Sequence, residues 1–77
     1  MTALAPIPPK KMVAILLRLG FKFDRQKGSH AYYKHADGRS IAIPMHAGED
    51  LGKGLIREIL RSIVLSVADY ESLRRSV

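Results

Sequence analysis

The sequence predicts an α+β domain, a two-layer sandwich in which helices cover one face of a three-stranded antiparallel sheet. The spacing of apolar residues is helical before Gly20, alternates along residues 21–44, and is helical again after Gly54. Two tight-turn pairs, Lys27-Gly28 and Asp37-Gly38, divide the alternating part into three strands. The predicted order is therefore α-β-β-β-α, followed by a short C-terminal helix.

A proline-rich segment precedes the first helix. Residues 1–9 carry three prolines and no charged side chain, which predicts an extended arm, and residues 10–77 form the folded domain. Pro9 suits the first position of a helix, because that position needs no backbone N–H. We expect this helix to run from Pro9 to Leu19 and to stop at Gly20. Its core-facing residues recur at helical spacing, and they are Met12, Ile15, Leu16 and Leu19.

The three strands are predicted to begin at Phe21, to run from Ser29 to His35, and to run from Arg39 to Pro44. Side chains alternate between the two faces of a strand. The face against the helices is expected to carry Phe21, Phe23, Tyr33, Ile41 and Ile43. The other face, which this architecture leaves open to solvent, is expected to carry Lys22, Asp24, Gln26, His30, Tyr32 and Lys34.

The C-terminal half begins with a glycine-rich loop, residues 45–54, and continues into a helix predicted from Leu55 to Leu65. Its buried stripe consists of Ile56, Ile59, Leu60 and Ile63. Three cations recur every four residues and form a basic ridge that starts at the helix N-terminus: Lys53, Arg57 and Arg61. Ser66 to Asp69 resembles a capping box and begins a third helix, with Tyr70 and Leu73 facing inward.

The formal net charge is +6, and the whole excess lies in the first half of the chain. Residues 1–40 contain eight basic and two acidic residues, whereas residues 41–77 contain five of each. A cationic surface of this kind attracts polyanions such as nucleic acids. The absence of cysteine excludes disulfides and thiolate chemistry and fits a cytoplasmic location. Arg18 breaks the apolar run of the first helix, which argues against a secretory signal or a membrane span.

The stretch Lys27-Gly28-Ser29-His30 places an imidazole beside a basic turn on the predicted open face. Histidine ordinarily titrates with a pKa of about 6.5, so its imidazole can accept or donate a proton near neutral pH. RNA cleavage through the ribose 2′-hydroxyl needs such a group, together with cations that stabilise the phosphate oxygens. His30 is therefore the candidate catalytic residue. Cations are available from Lys27, Lys34, Arg39 and the basic ridge, and His46, Tyr32 or water is the second proton carrier.

Other chemistries fit the residues less well. The three histidines form no His-x-x-x-His pair, and the only acids near His46 in sequence are Glu49 and Asp50, so we expect no metal site and no cofactor. The loop glycines lack the Gly-x-x-x-x-Gly-Lys-[Ser/Thr] pattern, and a phosphate is better received at the helix N-terminus near Lys53. His35 shares a face with Tyr33 and is expected to pack or to lie at the strand end.

An ordered set of short motifs runs through residues 10–73. It consists of Gly20-Phe21, Lys27-Gly28-Ser29-His30, Tyr33, Asp37-Gly38-Arg39, Ile43-Pro44, His46, Gly48, Asp50-Leu51, Lys53-Gly54 and Ile59-Leu60. In order and spacing the set resembles the HicA (YcfA-like) toxins of bacterial toxin–antitoxin pairs. The chain departs from the usual family pattern at Leu55, where members commonly have threonine, and at Ile63-Val64, where many have Ala-Gly.

The resemblance implies a double-stranded-RNA-binding-domain-like fold and a metal-independent mRNA interferase, an endoribonuclease that arrests translation. The essential histidine of the family's Gly-[Ser/Thr]-His motif falls on His30. The implied partners are mRNA and a HicB-like antitoxin, with DNA reached only through the antitoxin. We expect RNA contacts from Lys27, Gly28, Ser29, Lys34, Arg39, His46, Lys53, Arg57 and Arg61. The alternatives are a non-catalytic RNA-binding module of the same fold and a protein-interaction domain.

Overall fold

The architecture follows the predicted order of helices and strands. The computed structural model describes residues 4–77, and residues 1–3 of the predicted arm lie outside the described residues. The elements are α1 (Pro9–Arg18), β1 (Lys22–Lys27), β2 (His30–Lys34), β3 (Ser40–Pro44), α2 (Lys53–Ser62) and α3 (Val67–Ser76). The three strands form one antiparallel sheet in the order β1-β2-β3, which confirms the α+β fold with a C-terminal helix.

The helices cover one face of the sheet, and the core lies between the two layers. The predicted helical stripes are buried, with Leu19 partly exposed, and they meet Tyr33, Ile43, Phe21 and Tyr70 in a single cluster. Ile41 and Leu73 pack against this cluster as partly buried residues. No helix among residues 4–77 is long and apolar enough to span a bilayer.

Phe23 is the exception to the predicted core. It lies opposite Tyr33 and makes an edge-to-face contact with it, with ring centroids 5.7 Å apart, so it does belong to the helix-side face. Its side chain is nevertheless 55% exposed, and every residue of β1 is exposed. The predicted burial of Phe23 is therefore wrong: β1 is an edge strand, and the helices do not extend over it.

A β-bulge shifts the register of β1. Phe23 pairs with Tyr33 but Arg25 pairs with the next residue of β2, Tyr32, so Asp24 is an extra residue. Directly paired residues share a face of the sheet. Gln26, paired with Ala31, therefore lies on the helix side, which corrects the predicted alternation.

The N-terminal arm is bound to the loop that precedes α2. The Ile7 N–H donates to the Leu51 carbonyl at 3.2 Å, and the Leu51 N–H donates to the Ile7 carbonyl at 2.7 Å. Leu4, Ile7 and Leu51 are all buried in the main core, although they follow no helical or strand periodicity in the sequence. This bridge fixes the start of α1 against the loop of residues 45–52.

α1 ends in a Schellman motif. The Gly20 N–H donates to the Leu17 carbonyl at 3.1 Å, and the Phe21 N–H donates to the Leu16 carbonyl at 3.0 Å. Gly20 has a φ of 97°, and a Cβ there would lie 3.1 Å from His35 Nε2. Both the backbone conformation and the close approach of His35 therefore favour glycine at this position.

α2 begins earlier and ends earlier than the predicted range of Leu55 to Leu65, since Gly52 is its N-cap and Ser62 is its last residue. A second Schellman motif causes the early end: the Val64 N–H donates to the Arg61 carbonyl and the Leu65 N–H donates to the Leu60 carbonyl. Val64 occupies the position that Gly20 has after α1, with a φ of 56° and a side chain 81% exposed.

α3 begins as the sequence predicts. The Ser66 hydroxyl oxygen accepts a hydrogen bond from the Asp69 N–H at 3.1 Å, and Tyr70 is fully buried. The end of the helix is tied to α1, because the Arg18 guanidinium donates to the Ser76 carbonyl at 3.2 Å. α3 thus completes the helix layer beside α1.

Replacing Val64 with glycine is expected to stabilise the protein. An L-residue in the left-handed region costs about 1–2 kcal/mol, and the greater freedom of glycine in the unfolded chain offsets about 0.4–1 kcal/mol of that gain. We expect Val64→Gly to raise the free energy of unfolding by about 0.5–1 kcal/mol in urea denaturation. Val64→Ala, which removes the same exposed methyl groups but keeps the strained backbone, is the control. An equal gain from both variants would contradict this account.

Candidate active site

His30 is the first residue of β2, on the face of the sheet that the helices do not cover. Along β2, Ala31 and Tyr33 are buried, Tyr32 is half-buried, and His30 and Lys34 are exposed. The predicted orientation of His30 is therefore confirmed. On one side His30 pairs with Lys27 of β1 and on the other with Pro44 of β3, so it lies at one end of the sheet with a neighbour on each side.

The bulge in β1 determines which side chains lie beside His30. Because Asp24 is an extra residue, Lys22, Arg25 and Lys27 all take the open face, opposite Lys34, Tyr32 and His30 in turn. A two-residue loop joins Lys27 to His30, with Gly28 at a φ of 60° where a type II′ hairpin carries glycine. The Lys27 ammonium and the His30 imidazole thus belong to one cross-strand pair.

Tyr32 carries a stacked cation on the open face. The Arg25 guanidinium carbon lies 4.6 Å from the centroid of the Tyr32 ring, and the guanidinium also pairs with the Asp24 carboxylate at 2.6 Å. Ala42, the partner of Tyr32 on β3, adds only a methyl group beside the ring. This arrangement could not be predicted from the sequence, because strict alternation puts Arg25 on the helix side.

Lys34 shares the open face with His30 but lies at the other end of β2. It is paired with Lys22 and Ser40. Lys34 is four positions after His30 along the strand, so their Cα atoms lie about 13 Å apart. The open face therefore carries cations along its length, with Lys27 beside His30, Arg25 in the middle, and Lys22 and Lys34 at the far end. A strip of this kind follows a polyanionic backbone better than it surrounds a single phosphate.

The loop after β3 brings His46 to the end of the sheet that carries His30. The Met45 N–H donates to the Ser29 carbonyl at 2.6 Å, which extends the pairing one residue beyond Pro44. His46 is exposed and is the next residue in the chain. Since Pro44 pairs with His30, the two histidine Cα atoms lie within about 12 Å of each other. Gly28 and Ser29 form the turn between Lys27 and His30.

The predicted basic ridge is exposed on α2. Lys53, Arg57 and Arg61 are all exposed, and they extend along about 12 Å of helix. The Ile7–Leu51 bridge holds the N-terminal end of α2, with Lys53, near the loop that carries His46. Gly52 supplies no side-chain cap, so the first N–H groups of α2 are available to an anion. Arg61 lies toward the opposite end of the domain.

Arg39 is not part of this cluster. Its guanidinium donates to the Asp37 carboxylate at 2.8 Å and to the Ile63 carbonyl, and lies 5.1 Å from the Phe21 ring centroid. It thus lies on the helix side, near Ser40 and Lys34, at the end of the sheet away from His30. Hydrogen bonds from the Arg39 backbone N–H and guanidinium lower the pKa of the Asp37 carboxyl.

His35 packs against its neighbours and lies just beyond the last residue of β2, which agrees with the prediction that it packs or lies at the strand end. Its Nε2 lies 3.1 Å from the Leu19 carbonyl, and its Nδ1 accepts from the Asp37 N–H at 3.1 Å. The ring also makes an edge contact with Phe21. This histidine joins the β2–β3 hairpin to the end of α1, whereas His30 and His46 lie at the other end of the sheet.

Among residues 4–77 no group of three histidine or carboxylate side chains could together hold a metal ion. The groups near His30 are instead the Lys27 ammonium of the same cross-strand pair and the His46 imidazole on the adjoining loop. This set can move protons and bind anionic oxygens, which are the two functions that phosphodiester chemistry requires.

Comparison with protein families assigns the chain. The family model described as HicA toxin of bacterial toxin-antitoxin matches residues 9–65, well over half of the sequence. The chain belongs to the HicA toxin family. The matched residues include His30, the basic ridge of α2 and the open-face lysines Lys22, Lys27 and Lys34, and they end before α3. A search of curated proteins gave no match.

Two histidines of this HicA chain, His35 and His30, are expected to differ in their effect on stability. His35→Ala removes bonds to Leu19 and Asp37 and the contact with Phe21, and we expect it to lower the free energy of unfolding by about 1–3 kcal/mol. His30→Ala, at an exposed position, is expected to change it by less than about 0.5 kcal/mol. Urea denaturation of both variants measures this. Equal losses would mean that His30 also has a structural role.

Proposed function

We propose that the chain is the toxin of a toxin–antitoxin pair and acts as an endoribonuclease that cleaves mRNA, with His30 as its catalytic residue. The observation that carries the proposal is the position of His30: exposed, on the open face, and in a cross-strand pair with Lys27. Family membership supports the toxin role. An mRNA substrate also implies action in the cytoplasm.

The proposed reaction uses the 2′-hydroxyl of the RNA as its nucleophile. His30 accepts the 2′-hydroxyl proton, the 2′-oxygen forms a bond to the adjacent phosphorus, and the bond from phosphorus to the 5′-oxygen breaks. A second group gives a proton to the departing 5′-oxygen, and His46 on the adjoining loop, Tyr32 or water supplies it. The products are a 2′,3′-cyclic phosphate and a 5′-hydroxyl. No metal ion is needed for any of these transfers.

Basic residues have two different parts in this proposal. Lys27 stands next to His30 and stabilises charge on the reacting phosphate. Lys34, together with Lys22 and Arg25, binds phosphates further along the strand, and Lys53, Arg57 and Arg61 offer a second track on α2. Gly28 and Ser29 contribute backbone groups at the turn. Arg39 is left out, because its guanidinium is engaged with Asp37 and Ile63.

An antitoxin partner completes the proposal. The open face of the sheet is cationic and carries His30, so a HicB-like protein that covers it would block RNA. DNA would then be bound only through the antitoxin. The α1 and α3 surface lies on the other side of the domain and stays accessible in such a complex.

Replacement of His30 is expected to abolish toxicity. General acid–base groups contribute about 10²–10⁴ to rate, so His30→Ala should slow RNA cleavage at least 100-fold and restore bacterial growth on induction. Ser72→Ala, at an exposed position on α3, is the matched control and should cleave like wild type. RNA with a 2′-deoxy sugar at the cut site should resist the wild-type protein, and excess EDTA should leave cleavage unchanged.

Two outcomes would contradict the proposed function. Cleavage by His30→Ala at the wild-type rate would remove His30 from the mechanism. If wild type and His30→Ala bound RNA equally and neither cut it, the chain would be the non-catalytic RNA-binding module, whose open cationic face needs no histidine to bind phosphates.

Lys27 and Lys34 provide a matched pair for separating catalysis from binding. Both are exposed lysines on the open face, with Lys27 of β1 beside the first residue of β2 and Lys34 as the last residue of β2. Loss of one phosphate contact lowers the slope of log affinity against log salt by about 1, and we expect this of both Lys27→Met and Lys34→Met. At saturating RNA only Lys27→Met should cleave more slowly, by about tenfold. Equal cleavage rates for the two variants would place the reacting phosphate away from Lys27.

A further inference from the structure

A small cleft lies beside the candidate active site, between the start of α1 and the loop after β3. Its volume is about 250 Å³, and its lining is formed by Pro8, Pro9, Lys10, Met45, His46, Ala47 and Gly48. Sites for drug-sized ligands occupy about 300–1,000 Å³. The cleft is therefore suited to a group smaller than a whole nucleotide, such as a single aromatic ring system.

The two walls of the cleft are fixed relative to each other. One wall is the start of α1, where the rings of Pro8 and Pro9 have little conformational freedom. The other is the loop of residues 45–48, which begins with the hydrogen bond from Met45 to the Ser29 carbonyl. Beyond this loop, the paired bonds between Ile7 and Leu51 join its chain to the arm just before Pro8. A flat group can thus enter a preformed slot at little entropic cost.

The lining favours a base over a phosphate. Proline rings, the Met45 thioether and the Ala47 methyl group provide apolar surface, and the His46 imidazole provides a flat aromatic face. Glu49 and Asp50, both exposed, follow the lining residues directly in the chain, so this loop offers acidic rather than basic side chains to a ligand. Lys10 is exposed beside the cleft and can bind the phosphate of a nucleotide whose base has entered.

The distance to His30 fits a nucleotide next to the reacting one. His46, which lines the cleft, has its Cα within about 12 Å of the His30 Cα, because Pro44 pairs with His30 two residues earlier. An RNA strand crossing the open face at His30 reaches the cleft without leaving the surface of the domain. Bases of single-stranded RNA turn outward and stack on flat side chains.

We infer that this cleft is a nucleobase subsite, which holds one unpaired base of the RNA beside the phosphate that the 2′-oxygen attacks when His30 takes its proton. The inference rests on the proposed function, and adds that the substrate is single-stranded at this point. A base held here fixes the strand relative to His30 and gives the cleft control over where the RNA is cut. Pro8 and Pro9 thereby belong to the substrate-binding surface.

The test uses the full chain carrying His30→Ala, so that RNA is bound but not cleaved. Affinity is measured for a short single-stranded oligonucleotide and for a series in which one position at a time lacks its base. We expect one abasic position to weaken binding by about tenfold, the effect of losing a stacked base. Ala47→Leu, which fills the cleft at an exposed position without positive φ, should remove that difference. Ala68→Leu on α3 is the matched control and should keep it.

The outcomes distinguish the subsite from the proposed function. If the oligonucleotide binds and wild type cleaves it, but no abasic position weakens binding or Ala47→Leu keeps the loss, then the subsite is wrong and the endoribonuclease proposal stands. If neither binding nor cleavage of RNA occurs, both proposals fail. If the cleft is a base subsite, Ala47→Leu in a chain that keeps His30 should also shift the cut positions on a long RNA. Ala68→Leu should leave the cut positions unchanged.

Discussion

The bulge at Asp24 is the constraint on which the composition of the open face depends. Strict alternation from Phe23 would turn Arg25 and Lys27 toward the helices and Gln26 toward solvent. With one extra residue, both cations take the open face, and Lys27 becomes the cross-strand neighbour of His30. A single inserted residue in an edge strand therefore determines the electrostatic surroundings of the candidate catalytic group and places a guanidinium over Tyr32.

Periodic features could be predicted from the sequence, and features that depend on pairing could not. Helical stripes and the alternation in β2 follow from local spacing, so the helix layer and the orientation of His30 were predictable. The bulge depends on how β1 pairs with β2, and no glycine or proline in Phe23 to Gln26 signals it. Alternation likewise predicted the face of the sheet on which Phe23 lies. It could not predict that the helices end short of the edge strand.

Contacts between segments distant in the chain account for the remaining differences. Leu4, Ile7 and Leu51 have no periodicity, so their part in the core is visible only once the arm meets the loop. The positive charge of Arg39 suggested a role in RNA binding. Arg39 lies two positions before Ile41, however, so alternation already placed it on the helix side of the sheet. The end of α2 was not predicted, because a Schellman motif ends the helix there with Val64, and not glycine, in the left-handed conformation.

The two ends of the sheet differ in what their side chains contact. His35, Asp37 and Arg39 bind the hairpin to α1 and α2 at one end, while His30 and Lys27 at the other make their contacts with solvent. Mutations that silence the candidate catalytic end therefore cost the fold little. Under the proposed toxin function, such changes would leave a folded protein that can still occupy an antitoxin, so activity would be lost without the degradation that follows unfolding.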